Sequence, residues 1–229
     1  MKALIYKELK LAMHPICYVF ILLFPFMILI PNYPISVGFI YVLTAYPILF
    51  LGANKGQQSN DLLYSVLLPV RKKDVVLARI VTIGILQGVF ILITSALLPL
   101  AYLINSTISI QSVGASVEVG IGLDGYISTL GIILLGYAIA DLIFIPMYYK
   151  SGKFIVFPTL LTIFTFSIYI ALTTIIIPYI PGCEWYLDIL QNKGIGIQLI
   201  VLAIGLLIYI ATHILIYKIS SKRLEKVDF

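Results

Sequence analysis

The chain has 229 residues, of which 61% are hydrophobic and only 11% are charged, and its formal net charge is +5. This composition excludes a soluble globular protein and leaves no room for a separate aqueous domain. The positive charge does not indicate nucleic-acid binding, because the cations cluster at the ends of apolar segments, where anionic lipid headgroups attract them. We therefore expect one transmembrane domain over residues 1–229, in contact with the lipid bilayer and with no nucleic acid.

Residues 1–15 are predicted to form a short amphipathic helix. Its apolar side chains recur at helical spacing, at Ile5, Leu9, Ala12 and Ile16. Such a stripe is typical of a helix that lies in the membrane interface. We expect it to end in a turn at His14 and Pro15.

The sequence has six long apolar segments, each with at least the ~20 residues that a helix needs to cross ~30 Å of hydrocarbon. They cover residues 11–30, 34–53, 80–104, 126–149, 154–177 and 195–217. Unpaired backbone groups are too costly in lipid, so spanning segments of this length must be helices. The sequence thus predicts an all-α polytopic membrane protein with six transmembrane helices.

The distribution of cations predicts the topology of these six spans. An even number of crossings places both termini on the same side of the membrane. All of the 15 Lys and Arg residues except Lys193 then share that side. Because loop cations stay in the cytoplasm, we expect a multi-pass protein of the plasma membrane with cytoplasmic N and C termini.

The sequence carries no recognisable catalytic, cofactor or metal motif. There is no H-E-x-x-H, no G-x-S-x-G and no G-x-x-x-x-G-K-[ST] phosphate loop, and histidine occurs only at His14 and His213. We therefore predict no catalytic residue, no cofactor and no bound metal. If the protein uses ATP, the ATP site belongs to another chain.

Asp141 is the one ionisable residue predicted to lie well inside a span. Counting back from Tyr149 places it roughly 12 Å from the helix end. A carboxylate there must be protonated, paired or in contact with water. A functional interpretation is a proton relay, a pathway contact or a conformational latch, whereas a structural one is an inter-helix hydrogen bond or pairing with a cation.

The inner loop between the second and third spans contains a second, much shorter apolar element. Ser59, Asn60 or Asp61 can cap a helix start, and Pro69 ends the helix. A helix of about two turns carrying several large apolar side chains is too apolar for a solvated loop and too short to span. It needs a surface to bury against, which is either the membrane interface or a protein partner.

This loop resembles that of a known transporter family. Asp61-Leu62-Leu63-Tyr64-Ser65 followed by Leu68-Pro69-Val70-Arg71-Lys72-Lys73-Asp74-Val75-Val76 is similar to the inner loop of small type-II ABC-exporter permeases. Members typically show an acidic residue and then "SLPVSRKDIV" before the third span. This chain has Leu-Leu-Pro and Arg-Lys-Lys where the pattern has Ser-Leu-Pro and Ser-Arg-Lys. Six spans, cytoplasmic termini and an N-terminal interfacial helix also match.

The resemblance implies a half-transporter of the kind that exports peptides, or confers immunity to them, in Gram-positive bacteria. Two permease chains, identical or homologous, would form the pathway for hydrophobic or amphipathic peptides or lipid-like cargo, and separate ABC ATPase subunits would drive it. Residues 55–76 would be the cytoplasmic coupling loop. The implied ATPase-coupling residues are Asp61, Leu62, Leu63, Ser65, Val66 and Leu67.

Two other classes of function remain as alternatives. One is a small ion-coupled carrier that uses Asp141, and the other is a membrane protein that does not transport, such as a sensor or an immunity protein. An intramembrane enzyme ranks last, because no nucleophile–base pair or metal cluster is visible in the sequence.

Overall fold

The computed structural model describes residues 2–12, 16–29, 70–108, 127–151, 156–176, 180 and 195–226. All regular structure in these ranges is helical, which confirms the all-α prediction for them. The helices are α1 (Lys2–Lys7), α2 (Ile16–Leu23), α3 (Lys72–Ile108), α4 (Ile127–Ser151), α5 (Val156–Ile170) and α6 (Ile195–Glu225). A π-helical segment, Glu8–Ala12, continues α1, a 3₁₀ segment, Phe24–Leu29, continues α2, and a π-helical segment, Ala171–Ile176, continues α5.

Four helices are long and apolar enough to cross a membrane, namely α3, α4, α5 with its continuation, and α6. They correspond to the third to sixth predicted spans. Within the first predicted span the structure has a shorter apolar helix, Ile16–Phe26. The second predicted span, 34–53, lies outside the described residues. Four of the six spans are therefore observed, and the full count of six stays a prediction.

Two of the spanning helices extend well past their apolar segments. α3 begins at Lys72, ahead of residue 80, so that residues 72–76 of the predicted coupling loop are helical. The Arg71 carbonyl accepts the backbone N–H of Asp74 at 2.9 Å, and the Asp74 carboxylate suits the positive end of the helix dipole. α6 continues past residue 217 to Glu225, with two cations in its last turn. Hydropathy marks the part of a helix in lipid, not the ends of the helix.

Contacts along α4 and α6 show that these two helices run parallel. At their start, Gln198 Oε1 accepts the backbone N–H of Ile127 at 3.1 Å. Towards their end, Arg223 donates to the Pro146 carbonyl at 2.5 Å. The first N–H groups of a helix have no partner within the helix. The Gln198 side chain therefore caps α4 from the neighbouring helix.

α3 runs antiparallel to α4 and α6. Lys73, in its first turn, lies 3.2 Å from Glu225 at the end of α6, as measured between Nζ and Oε1. The start of α3 and the ends of α4 and α6 therefore lie at the same end of the bundle. The π-helical segment that continues α1 joins them there through an ion pair between Glu8 and Arg79. We call this the basic end, since it gathers the described cations of these helices.

The basic end agrees with the predicted clustering of cations on one side, although its cytoplasmic location stays a prediction. The buried face of the N-terminal segment differs from the predicted stripe. Leu4 and Glu8 are the buried residues, and Ile16 is 38% exposed. The ion pair with Arg79 turns Glu8 inward, a long-range contact that apolar periodicity does not record. Whether α1 also lies in the interface is untested.

The core of the bundle is built around α4, the most enclosed of the spanning helices. Its aromatic side chains at Tyr137, Phe144 and Tyr149 are fully buried, and Phe90 of α3 meets the Tyr137 ring edge-on at 6.3 Å between centroids. Tyr169, in α5, donates its hydroxyl to the Ile132 carbonyl at 2.8 Å. A polar residue in the middle of α4 is consequently surrounded by protein and not by lipid.

Candidate functional site

Four polar side chains from three spanning helices meet inside the bundle. They are Gln87 of α3, Asp141 of α4, and Tyr209 and His213 of α6. We call this group the polar clamp. Asp141 is fully buried and lies about ten residues before the end of α4, or roughly 15 Å from it along the helix axis. The clamp thus ties three helices together at membrane depth.

Gln87 is the central hydrogen-bonding residue of the clamp. Its Nε2 donates to both oxygens of Asp141, at 3.3 Å to Oδ1 and 3.1 Å to Oδ2. Its Oε1 accepts the Tyr209 hydroxyl. Both ends of a 1% exposed amide are therefore satisfied, as burial of a polar group requires.

His213 is the basic partner of Asp141. Its Nε2 lies 3.3 Å from Asp141 Oδ2, and its Nδ1 lies 2.9 Å from the Tyr209 carbonyl oxygen. Tyr209 and His213 are one turn apart on α6, and their ring centroids are 4.1 Å apart. The two side chains consequently approach α4 and α3 from the same face of α6.

The sequence identified Asp141 as buried inside a span, and one of its two structural interpretations, the inter-helix hydrogen bond, is observed. It accepts inter-helix hydrogen bonds from Gln87 and it lies next to the imidazole of His213. The predicted role of Asp141 in a pathway or as a latch is untested by this geometry. His213 was noted only as lying near one end of a span. The clamp could have been suspected from the sequence, because two polar residues, Tyr209 and His213, lie one helical turn apart within an apolar segment.

The six predicted ATPase-coupling residues, at positions 61–63 and 65–67, lie outside the described residues. The first turn of α3, which comes soon after them in the chain, is described. Two ion pairs hold this part of the helix. Arg79 pairs with Glu8 where both are nearly buried, whereas Lys73 pairs with Glu225 where both are about half exposed.

The Glu8–Arg79 pair was not predicted from the sequence. Lys7 adds a second cation, with Nζ 3.7 Å from Glu8 Oε1. A buried charge is stable only when it is paired and hydrogen-bonded. The N-terminal segment is therefore fixed to α3 directly after the loop proposed to couple to an ATPase.

In the described ranges there is no group of His, Cys, Asp and Glu side chains able to hold a metal ion. The clamp itself has one carboxylate and one imidazole, surrounded by buried aromatic residues. A carboxylate and an imidazole can each bind or release a proton, and the contacts of the clamp join three helices.

A protein-family model described as "ABC-2 family transporter protein" matches residues 3–221. The match includes residues 3–7 of α1, residues 55–69 and all four residues of the polar clamp. No curated protein and no solved structure matches the chain.

Proposed function

The chain belongs to the ABC-2 transporter family, and from this membership we propose that it is the membrane-spanning permease subunit of an ABC exporter. The observation that carries the proposal is the family match over nearly the whole chain, in a protein with several membrane-spanning helices. The sequence has no phosphate loop, so ATP is hydrolysed on separate ATPase subunits. A second permease chain, identical or homologous, completes the pathway in the plasma membrane.

The proposed route for force runs through residues 55–76 into α3. The helix of about two turns around Asp61–Leu68 docks in a groove of the ATPase and moves with it. α3 begins at Lys72, so it follows this helix after a short connection. The ion pairs of Arg79 with Glu8 and of Lys73 with Glu225 support the route, because they link the start of α3 to both the N-terminal segment and α6.

We propose hydrophobic or amphipathic peptides, or lipid-like molecules, as the exported cargo. The ionisable residues of the clamp, Asp141 and His213, lie away from the basic end and are buried against one another. The remaining surface of these helices carries large exposed apolar side chains, such as Leu92, Phe164 and Leu207. A surface of this kind suits apolar cargo better than charged solutes.

The ion-coupled carrier remains the second candidate, and one observation favours it. Asp141 has a second titratable group beside it, His213, and such pairs serve as proton relays in carriers. However, Asp141 is fully buried among protein side chains. This placement suits a group that holds helices together better than one that exchanges with a pathway.

Purification of the tagged chain from its native membrane tests the proposal. We expect an ATPase with a phosphate loop to co-purify in detergent and to hydrolyse ATP. Leu63→Asp should abolish co-purification, because a charge on the coupling helix opposes burial in the ATPase groove. Gln57→Asp is the matched control, since it adds the same charge to the same loop ahead of the helix. Purification without any ATPase, in a form that still functions, would refute the assignment.

A further inference from the structure

We propose that Asp141 and His213 form a proton-binding site, a carboxylate–imidazolium pair whose exchangeable proton fastens α6 to α4 and α3. The inference goes beyond the exporter assignment and does not depend on it, because it concerns the permease chain alone. It rests on the geometry of the polar clamp.

The surroundings of the His213 ring favour protonation of both of its nitrogens. Nδ1 lies 2.9 Å from the Tyr209 carbonyl oxygen, which only accepts hydrogen bonds, so Nδ1 carries a hydrogen. Nε2 lies 3.3 Å from a carboxylate oxygen of Asp141. A neutral ring with its hydrogen on Nδ1 would place the Nε2 lone pair beside this negative oxygen. A second ring proton turns that repulsion into attraction.

The hydrogen bonds that Asp141 accepts favour its ionised form, against the cost of burying a charge. Both carboxylate oxygens accept hydrogen bonds from the Gln87 amide nitrogen. A donor shared by the two oxygens stabilises the charged form of the carboxylate. Gln87 is held in this orientation because Tyr209 donates to its oxygen. The direction of every hydrogen bond in the clamp is thereby fixed, and the one proton left to exchange is that of the Asp141–His213 pair.

Burial makes this proton important for stability. Without it, the fully buried Asp141 would carry an unbalanced negative charge at membrane depth. Removing one charge of a buried ion pair leaves the other uncompensated and is strongly destabilising. The His213 side chain is 13% exposed, compared with 0% for Asp141, so the proton exchanges through His213.

Other titratable groups near the pair leave its charge balance unchanged. On the helices packed around it, the buried and half-buried ones within about eight residues of a clamp side chain are Arg79, Tyr137, Tyr148, Tyr149, Tyr209 and Tyr217, and Arg79 pairs with Glu8 of the N-terminal segment. The tyrosines contribute hydroxyl groups and neither a carboxylate nor a basic group. Glu8 and Arg79 neutralise each other, and Arg79 is roughly 12 Å from Gln87 along α3. The proton that Asp141 and His213 share therefore sets the net charge of the clamp.

The chain offers a direct spectroscopic test, because His213 is one of only two histidines. His14→Gln leaves a single imidazole in the full-length protein, whose ring nitrogens can be followed by solid-state NMR of isotope-labelled histidine in liposomes. We expect both nitrogens to be protonated at about pH 7. As the pH is raised from about 5 to about 10, a range that brackets ordinary histidine titration, we expect the imidazolium signal to be lost. The melting temperature should fall over the same pH interval.

Two variants separate the proposal from a purely structural role. In Asp141→Asn the imidazolium signal at about pH 7 should be lost, because the negative partner is gone. Tyr169→Phe is the matched control, since it removes an inter-helix hydroxyl outside the clamp and keeps both Asp141 and His213, so the signal should remain. A neutral ring in the parent protein, an imidazolium that survives in Asp141→Asn, or a signal that does not change over the pH series would each overturn the proposal. The protonation state of the His213 ring in the parent protein, measured over the pH series, decides for or against the proposal even if Asp141→Asn does not fold.

Discussion

Gly131 of α4 and Gly205 of α6 lie in backbone contact where the two parallel helices approach most closely. A Cβ atom placed on Gly205 would be 2.6 Å from the Gly131 carbonyl oxygen, and one on Gly131 would be 2.7 Å from the Val201 carbonyl oxygen. Small residues of this kind let membrane helices pack closely through their backbones. The contact fixes α6 against α4 on one side of the polar clamp, and Arg223 fixes it on the other.

Gly131→Ala and Gly205→Ala should therefore destabilise the bundle. Either methyl group collides with backbone, which cannot rotate away, so the helices must separate. We expect a loss of about 1–3 kcal/mol, typical of overpacking in a close-packed interior. The change is measured by heating the purified protein in detergent and recording the temperature at which the monodisperse species is lost.

Gly88→Ala is the matched control for this prediction. Its added Cβ meets no atom of the described chain within 4 Å, and alanine is about 0.5–1 kcal/mol more favourable than glycine inside a helix. Its melting temperature should therefore equal or exceed that of the parent. Equal melting temperatures for Gly205→Ala and Gly88→Ala would show that α4 and α6 are not in backbone contact.

Arg79→Met should destabilise the protein strongly by breaking the Glu8–Arg79 pair. Glu8 and Arg79 are 3% and 8% exposed, so the substitution leaves a buried carboxylate without its main partner. Removing one member of such a pair costs about 3–5 kcal/mol. Protease sensitivity of the N-terminal segment should rise together with the loss of stability, because this pair holds the segment on α3.

Lys73→Met is the control for the previous prediction, since it breaks an ion pair on the same helix with about half of each side chain exposed. Surface pairs contribute about 0–1 kcal/mol, so little change is expected. Glu8→Gln combined with Arg79→Met should recover part of the stability, because no unpaired buried charge remains. An Arg79→Met protein as stable as Lys73→Met would contradict the structure at this end.

Gln198→Met should weaken the start of α4. The side-chain oxygen of Gln198 accepts the first backbone N–H of that helix, and methionine of similar size offers no such acceptor. An unsatisfied backbone donor costs about 1–3 kcal/mol when it is removed from water. Gln198→Glu keeps an acceptor at the same position. Hydrogen exchange at the Ile127 amide should become faster in Gln198→Met and stay slow in Gln198→Glu.

Apolar segment length predicted the four candidate membrane-spanning helices in the described residues, because the bilayer itself imposes that length. It did not predict that α3 starts at Lys72 or that α6 reaches Glu225, since those extensions depend on helix capping and on ion pairs outside the apolar core. Asp141 was recognised from its charge inside an apolar segment. Its partners Gln87, Tyr209 and His213 come from two other helices, and a single sequence does not record which faces of those helices meet.

The energy source for transport tests the permease assignment most directly. Inside-out vesicles containing the purified complex would be supplied with a dye-labelled amphipathic helical peptide, with ATP or with a proton gradient alone. We expect the peptide to accumulate only when ATP is supplied, including when an ionophore has collapsed the proton gradient. The Leu63→Asp variant should not accumulate it. Accumulation without ATP, driven by the proton gradient and lost in Asp141→Asn, would contradict the assignment and identify an ion-coupled carrier.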